Sequence, residues 1–222
     1  MTNDQILESV QQYVQKEMEW VCSAHDFFHI ERVVKLATQL QELEWSWDLL
    51  VIQLGAYMHE SLDEKFFWDT NKEEKVEQLK QFLLTSGLEE TKAEEVIFIM
   101  KNVWYGKSLE RTKDFPYTKE FMIVEDADRL ESVWAIAIAR TFAYTGSKGR
   151  AIYDPARKPN DLDDHQWYLS NDNTAINHFY EKLLLLKDLM HTESAKNIAS
   201  ERHEYMQWFL KQFYQERNAD IT

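Results

Sequence analysis

Apolar residues recur every three or four positions along most of this chain, which is the spacing of amphipathic helices. The first such segment predicts a helix over residues 4–20, with Asn3 or Asp4 as its cap. The same periodicity predicts further helices over residues 26–43, 72–86, 90–103, 118–143, 174–190 and 193–217. The pattern therefore indicates an all-α protein, and the low content of 5 Gly and 3 Pro agrees with few tight turns.

The segment 47–60 differs from the others because it is apolar on nearly every side until it reaches His59. Such a segment predicts a helix that is buried over most of its surface. His59 and Glu60 follow the apolar run directly, so these two polar side chains are expected at the end of a core helix.

Residues 145–175 form the least regular part of the pattern. Two glycines, two prolines and several Asn and Asp residues interrupt it: Gly146, Gly149, Pro155 and Pro159 are the clearest. We expect a long ordered loop or small insertion here, and loops of this length are often functional. Neither a repeat nor a linker divides the sequence, which predicts a single domain over residues 1–222.

The formal net charge of −14 and the pI of about 4.9 bear on which molecules the protein can bind. Binding to long nucleic acids depends on many Lys and Arg contacts, so an acidic chain argues against it. It still allows a nucleotide in a locally basic pocket. The single Cys22 excludes an intramolecular disulfide and argues against a thiolate metal site. Neither a signal-peptide pattern nor an apolar run of about 20 residues is evident, so a cytoplasmic, non-membrane protein is expected.

Four residues on three separate predicted helices have the chemistry of a metal site: His29, His59, Glu60 and Asp128. Imidazole and carboxylate together suit Mn, Fe, Ni or Zn, and carboxylate with water suits Mg. Helices packed in a bundle can bring such distant positions together. Spacing alone does not establish a site, since a single His near a helix is more often an ordinary surface or core residue.

The sequence around these residues resembles the three motifs of the HD-domain metal-dependent phosphohydrolase superfamily, whose ligands follow the order H…HD…D. The matching stretches are His29-x-x-Arg32-Val33, the run from Gly55 to His59-Glu60, and Ala127-Asp128-Arg129-Leu130. Further stretches are similar to a bacterial branch of stand-alone HD nucleotide pyrophosphohydrolases: 25–29, 63–66, 139–144, 152–155 and 177–184. The resemblance spans about residues 20–215 and implies an HD-type helical bundle.

The resemblance also implies residue roles. His29, His59, Glu60 and Asp128 would hold one divalent ion, which could be Mn, Mg, Ni, Co or Fe. Catalytic roles fall on Glu60, on Asp63 as the base that assists a water, and on Lys65. Substrate contacts would come from Lys65 and from four further residues, Arg32, Arg140, Arg150 and His25. Simpler interpretations stay open, with Asp63 as a turn residue and Arg32 as part of a salt bridge.

One position departs from the family motif, because Glu60 stands where the family has Asp. Glu is one methylene longer, which moves its carboxylate by about 1.5 Å on a fixed backbone. Three outcomes follow: Glu60 binds after a small shift, the ion binds through His29, His59, Asp128 and additional water, or the site is poor in metal and inactive. Asp126, two residues before Asp128, would then be structural or orient a ligand.

The expected function is hydrolysis of a nucleotide, with a nucleoside triphosphate cleaved to the monophosphate and pyrophosphate. The alternative is a degenerate HD module that binds a nucleotide or a protein partner without turnover. Neither the base, the native metal nor the oligomeric state follows from the sequence, which leaves a homodimer open.

Overall fold

The computed structural model describes residues 1–20, 27–44, 47–62, 71–160 and 173–218. Within these ranges the chain forms α-helices joined by turns and irregular segments, without a strand, which confirms the all-α prediction. The α-helices are α1 (Asn3–Glu17), α2 (Phe27–Glu44), α3 (Leu49–Met58), α4 (Lys72–Thr85), α5 (Glu90–Asn102), α6 (Tyr105–Leu109), α7 (Lys119–Glu131), α8 (Ala135–Ser147), α9 (Ala175–Glu181) and α10 (Glu193–Arg217). Two 3₁₀ helices cover Met18–Trp20 and Leu183–Leu189. None of the helices in these ranges has the length and apolar character that crossing a bilayer requires.

The chain divides into two compact units, Met1–Asp128 and Arg129–Thr222. The single-domain organisation over residues 1–222 stays a prediction. The first unit contains α1 to α6 and most of α7, and the second contains α8 to α10.

Helix α3 is the core of the first unit, as its apolar sequence predicts. It packs against α1, α2 and α5. Asp48 caps it by accepting a hydrogen bond from the amide of Val51 at 3.2 Å. Gly55 lets α5 approach closely, since a Cβ at this position would lie 2.9 Å from Cδ1 of Ile99. A small residue here therefore sets the distance between α3 and α5.

The second unit has an aromatic core. Phe179 on α9 is fully buried and stacks on Phe209 of α10, with ring centroids 5.8 Å apart. Phe142 on α8 contacts both rings at centroid distances of 6.2 and 6.0 Å. These three aromatic side chains hold α8, α9 and α10 together.

The structure corrects several boundaries. Thr2, not Asn3 or Asp4, caps α1, because its hydroxyl accepts from the amide of Gln5 while the Gln5 side chain accepts from the amide of Thr2. The predicted helix 118–143 is wrong as a single element and breaks at residues 132–134. Trp134 has a φ of 112°, which is strained for a residue with a side chain.

Other parts agree with the pattern or add to it. Helix α6 was not expected, and the predicted helix 174–190 becomes α9 followed by a 3₁₀ helix. The predicted irregular loop 145–175 begins later than expected, because residues 145–147 belong to α8, and it ends where α9 begins at Ala175. Residues 148–160 contain turns, a bend and chain without regular secondary structure. Residues 161–172 of that loop lie outside the described ranges.

Candidate metal centre

Two imidazoles face each other where α2 begins and α3 ends. His29 lies in the first turn of α2, and His59 directly follows the last residue of α3. Both residues are buried, at 2% and 7% exposure, and their Nε2 atoms are 3.3 Å apart. The rings meet edge to face, with an interplanar angle of 73°. The packing of α2 against α3 therefore brings the Nε2 atoms of two histidines close together.

Asp128 completes a triangle with these two nitrogens. Its Oδ1 lies 3.7 Å from Nε2 of His29 and 3.6 Å from Nε2 of His59. A point equidistant from the three atoms lies about 2 Å from each, which is the length of a bond from imidazole or carboxylate to a transition metal. The donor set also suits such an ion, since lone pairs that converge in a buried site are stabilised by a cation between them. The three residues therefore fit a divalent metal.

A hydrogen bond to the backbone determines which ring nitrogen of His59 carries a proton. Its Nδ1 lies 2.7 Å from the carbonyl oxygen of Ala56, one turn earlier in α3. A carbonyl only accepts hydrogen bonds, so Nδ1 carries the proton and Nε2 presents its lone pair to the centre. This is the usual way in which proteins orient a histidine ligand.

Glu60 contacts the centre from one side. Its Oε1 lies 3.6 Å from Nε2 of His29, and its side chain is 15% exposed. The group whose ligand atoms all lie within 4.8 Å of one another consists of His29, His59 and Asp128. In this arrangement Glu60 is a neighbour of the triangle and not one of its corners.

An ion pair that the sequence did not predict anchors the helix of Asp128. Arg111 donates two hydrogen bonds to the fully buried carboxylate of Glu125, at 2.9 and 2.6 Å, and also contacts the carbonyl of Asn102 at the end of α5. Its guanidinium lies over the ring of Phe121, 4.8 Å from the centroid. Glu125 is one turn before Asp128, so this pair holds α7 in place. No sequence signal singles out Arg111, which lies in an irregular segment.

The remaining predicted site residues have different surroundings. Arg32 lies on α2 one turn after His29 and is partly exposed. Arg140 and Arg150 belong to the second unit, where Arg140 pairs with the buried carboxylate of Glu131 and Arg150 lies 5.8 Å from the ring centroid of Tyr144. Three predicted site residues lie outside the described ranges: His25, Asp63 and Lys65.

Asp126 and His178 are two further polar residues of interest, the first fully buried and the second only partly exposed. Asp126 is fully buried in α7 and does not belong to the converging group. Burial and the cations of Lys182 and Arg150 lower the pKa of His178 on α9 to about 3. His178 is therefore neutral in the folded protein at physiological pH.

Comparison with known proteins gives relatives over the whole chain, although no protein-family model matches it. YpgQ of Bacillus subtilis is 32% identical over 205 residues, which is 92% of this chain and 90% of YpgQ. Among solved structures, an HD-superfamily hydrolase of Bacillus thuringiensis is 36% identical with a TM-score of 0.76, and the match covers 99% of this chain and all of that protein.

Two other solved structures are similarly close. A protein of Lactobacillus plantarum has a TM-score of 0.84 at 32% identity, covering 99% of this chain and 100% of its own. YpgQ in complex with ADP has a TM-score of 0.74 at 30% identity, covering 97% of each chain. These relatives extend over both units, so the family resemblance is not confined to the metal-centre motifs.

Proposed function

Because this chain belongs to the HD superfamily of hydrolases, we propose that it is a metal-dependent phosphohydrolase that acts on nucleotides. The observation that carries this proposal is the convergence of His29, His59 and Asp128, whose ligand atoms are 3.3 to 3.7 Å apart. Support for a nucleotide comes from the ADP complex of YpgQ, a relative at 30% identity. The favoured reaction is cleavage of a nucleoside triphosphate to the monophosphate and pyrophosphate.

His29, His59 and Asp128 would hold the ion, which is Mn, Mg, Ni, Co or Fe. A divalent ion in this position supplies Lewis acidity, which polarises a phosphoryl oxygen and lowers the pKa of water. His59 keeps its Nε2 directed at the centre through the hydrogen bond from Nδ1 to Ala56. Arg32, one turn from His29, supplies a guanidinium that can bind phosphate oxygens through two parallel hydrogen bonds.

Asp63 and Lys65 follow His59 by four and six residues. We assign Asp63 as the general base, which takes the proton of the attacking water. Lys65 would offset the charge that develops on the phosphate. Arg140, Arg150 and His25 stay proposed contacts to the substrate.

The alternative is a module that binds nucleotide without turnover, and Glu60 is the observation in its favour. Glu60 replaces the aspartate of the family motif, and its oxygen lies near His29 beside the converging group. Catalytic geometry is sensitive to shifts of about 0.5 Å. A displaced carboxylate could therefore leave binding intact and remove catalysis.

One experiment distinguishes these functions. Purified protein is stripped of metal, reloaded with Mn, Mg, Co or Ni, and incubated with nucleoside triphosphates while phosphate and pyrophosphate are measured separately. We expect pyrophosphate release that falls in His59→Ala and Asp128→Ala by more than the roughly 10–100-fold cost of losing a residue that only orients a ligand. His203→Ala, on α10 of the second unit, is the matched control and should retain activity.

Two results would decide against the enzyme. Release of neither product above the level of His59→Ala, with every metal and nucleotide, contradicts phosphohydrolase activity. Metal and nucleotide binding without turnover, together with a large gain of activity in Glu60→Asp, would identify the binding module.

A further inference from the structure

A pocket lies entirely within the second unit, which contains none of the residues of the metal centre. It has a volume of about 270 Å³ and opens between the irregular segment after α8 and the helices α9 and α10. Three tyrosines, two cationic residues and one amide form most of its wall: Tyr153, Tyr180, Tyr214, Arg157, Lys158 and Asn177. None of these residues belongs to the metal centre.

The irregular wall of this pocket is held by hydrogen bonds. The backbone and side-chain nitrogens of Asn160 donate to one oxygen of the buried Glu181 carboxylate, at 2.6 and 2.9 Å. The side chain of Asn177 donates to the carbonyl oxygen of Arg157 at 3.2 Å. The segment that carries Arg157 and Lys158 is therefore fixed to α9 at both ends, and a pre-formed wall lowers the entropic cost of binding.

The pocket also has an aromatic lining. Tyr153 and Tyr214 meet edge to face with ring centroids 5.8 Å apart. Burial and a hydrogen bond with the hydroxyl of Tyr180 raise the pKa of Tyr214, so its hydroxyl stays protonated. Aromatic rings and neutral hydroxyls together suit a ligand that has a planar ring and polar edges.

The rim of the pocket is cationic. Arg157 and Lys158 are exposed at the pocket, and the guanidinium of Arg217 lies 5.0 Å from the centroid of the Tyr153 ring. Asp154 lies 3.3 Å from Arg157, but an exposed pair of this kind contributes little and is readily exchanged. Among the described residues at this rim, positive charges thus outnumber negative ones, which favours an anion even in a chain with a net charge of −14.

We propose that this pocket binds a nucleoside phosphate. The base contacts the tyrosine rings, and the phosphate contacts Arg157 and Lys158. The volume is near the lower limit of about 300 Å³ for small-molecule pockets, which favours a nucleoside mono- or diphosphate over a dinucleotide. This site goes beyond hydrolysis at the metal centre and does not require a metal.

The test uses the full chain with a chelator present, and measures binding of adenosine monophosphate by isothermal titration calorimetry. We expect saturable binding that weakens at least about tenfold in the double variant Arg157→Glu/Lys158→Glu, since charge-assisted hydrogen bonds to phosphate are replaced by repulsion. A matched control, Lys196→Glu/Lys211→Glu, reverses two exposed charges of α10 that do not line the pocket and should bind like the wild type. His59→Ala should also bind normally.

Adenosine and inorganic phosphate, titrated separately, should each bind more weakly than adenosine monophosphate. The proposal is overturned if the Arg157→Glu/Lys158→Glu variant binds with wild-type affinity, or if wild-type protein binds nothing at millimolar concentration. Loss of binding in His59→Ala also overturns it, because the nucleotide would then occupy the metal centre. Nucleotide hydrolysis by the same variants is measured in a separate assay with metal. The result of the binding test therefore does not decide whether the protein is a hydrolase.

Discussion

At the level of single residues, Glu60 is the position at which the chain departs from the family motif, and the structure shows where its carboxylate lies relative to the metal centre. The ligand atoms of His29, His59 and Asp128 form a triangle whose centre is at metal-bond distance from all three. The carboxylate of Glu60 lies beside this triangle, with its Oε1 3.6 Å from Nε2 of His29. The geometry thus favours the second of the three outcomes expected from sequence, in which three residues and water hold the ion.

We expect Glu60→Ala to weaken Mn²⁺ binding by only about tenfold, the smaller end of the cost of losing a residue outside the ligand set, because Glu60 lies beside the triangle and is not one of its corners. His59→Ala and Asp128→Ala should abolish stoichiometric binding. The measurement is titration of metal-free protein with Mn²⁺, followed by elemental analysis after gel filtration. Loss of metal in Glu60→Ala as complete as that in Asp128→Ala would make Glu60 a fourth ligand and this prediction wrong.

His178 permits a prediction about pH. Its pKa is about 3 in the folded protein against an ordinary value of 6.5, chiefly because it is buried and also because Lys182 and Arg150 are near. Between these two values the unfolded chain binds a proton that the folded chain does not. The free energy of unfolding therefore decreases as pH falls through this window, by up to about 1.4 kcal/mol per pH unit from this residue.

Urea unfolding at pH 7, 6, 5 and 4 tests this expectation. His178→Gln removes the titrating group, so its stability should fall less steeply with acid than that of the wild type. Taking the difference between the two proteins cancels the contributions of other groups. Parallel curves would show that His178 is protonated equally in the folded and unfolded states.

At the level of helices, the sequence predicted what depends on apolar spacing and missed what depends on contacts. The core position of α3, and the place of His59 directly after it, follow from a run of apolar residues that favours burial on every side. The break at residues 132–134 could not be predicted, since neither glycine nor proline occurs there and the φ of 112° at Trp134 is one that residues with a side chain rarely adopt. The pair of Arg111 with Glu125 was likewise invisible, because it joins residues 14 positions apart without a motif.

The packing of α3, which positions His59, against α5 can be tested by a substitution at Gly55. In Gly55→Ala the new methyl group would lie 2.9 Å from Cδ1 and 3.2 Å from Cγ2 of Ile99. Overpacking of this kind costs about 1–3 kcal/mol, against which the better helix propensity of alanine returns at most about 1 kcal/mol. We therefore expect Gly55→Ala to destabilise the protein in urea unfolding.

Gly146→Ala is the matched control, because Gly146 also lies in a helix but has nothing within 4 Å of the added atom. It should be neutral or slightly stabilising. The double variant Gly55→Ala/Ile99→Val should recover part of the lost stability, since valine lacks the methyl group closest to the new side chain. Equal stability of Gly55→Ala and wild type would mean that α5 moves aside at little cost.

At the level of the whole molecule, the metal centre contains carboxylates and the pocket of the second unit contains cationic side chains. The chain has a net charge of −14, and the carboxylates of Glu60 and Asp128 at the metal centre attract a cation. The pocket of Tyr153, Arg157 and Lys158 has two cationic side chains in its lining, at which we propose that a phosphate binds. The net charge thus argues against binding of long nucleic acids, and the two sites are the ones that we propose for a metal ion and a small phosphorylated ligand.

The location of the metal centre also makes it a probe of domain organisation. All three residues of the converging group belong to the first unit, Met1–Asp128. A ligand that binds only the folded state stabilises it by about 2.7 kcal/mol at 100 times its dissociation constant. For a chain of this size, that corresponds to a rise of roughly 5–10 °C in the melting temperature.

If residues 1–222 fold as the single domain that the sequence predicts, calorimetry of the full chain should show one transition, and Mn²⁺ should shift all of it upward. His59→Ala should show one transition that Mn²⁺ does not shift, because it lacks a corner of the triangle. Two transitions, of which Mn²⁺ raises only one, would contradict the prediction and show that Met1–Asp128 unfolds independently of Arg129–Thr222. The metal would then stabilise the first unit alone, since a ligand stabilises only the cooperative unit whose unfolding removes its site.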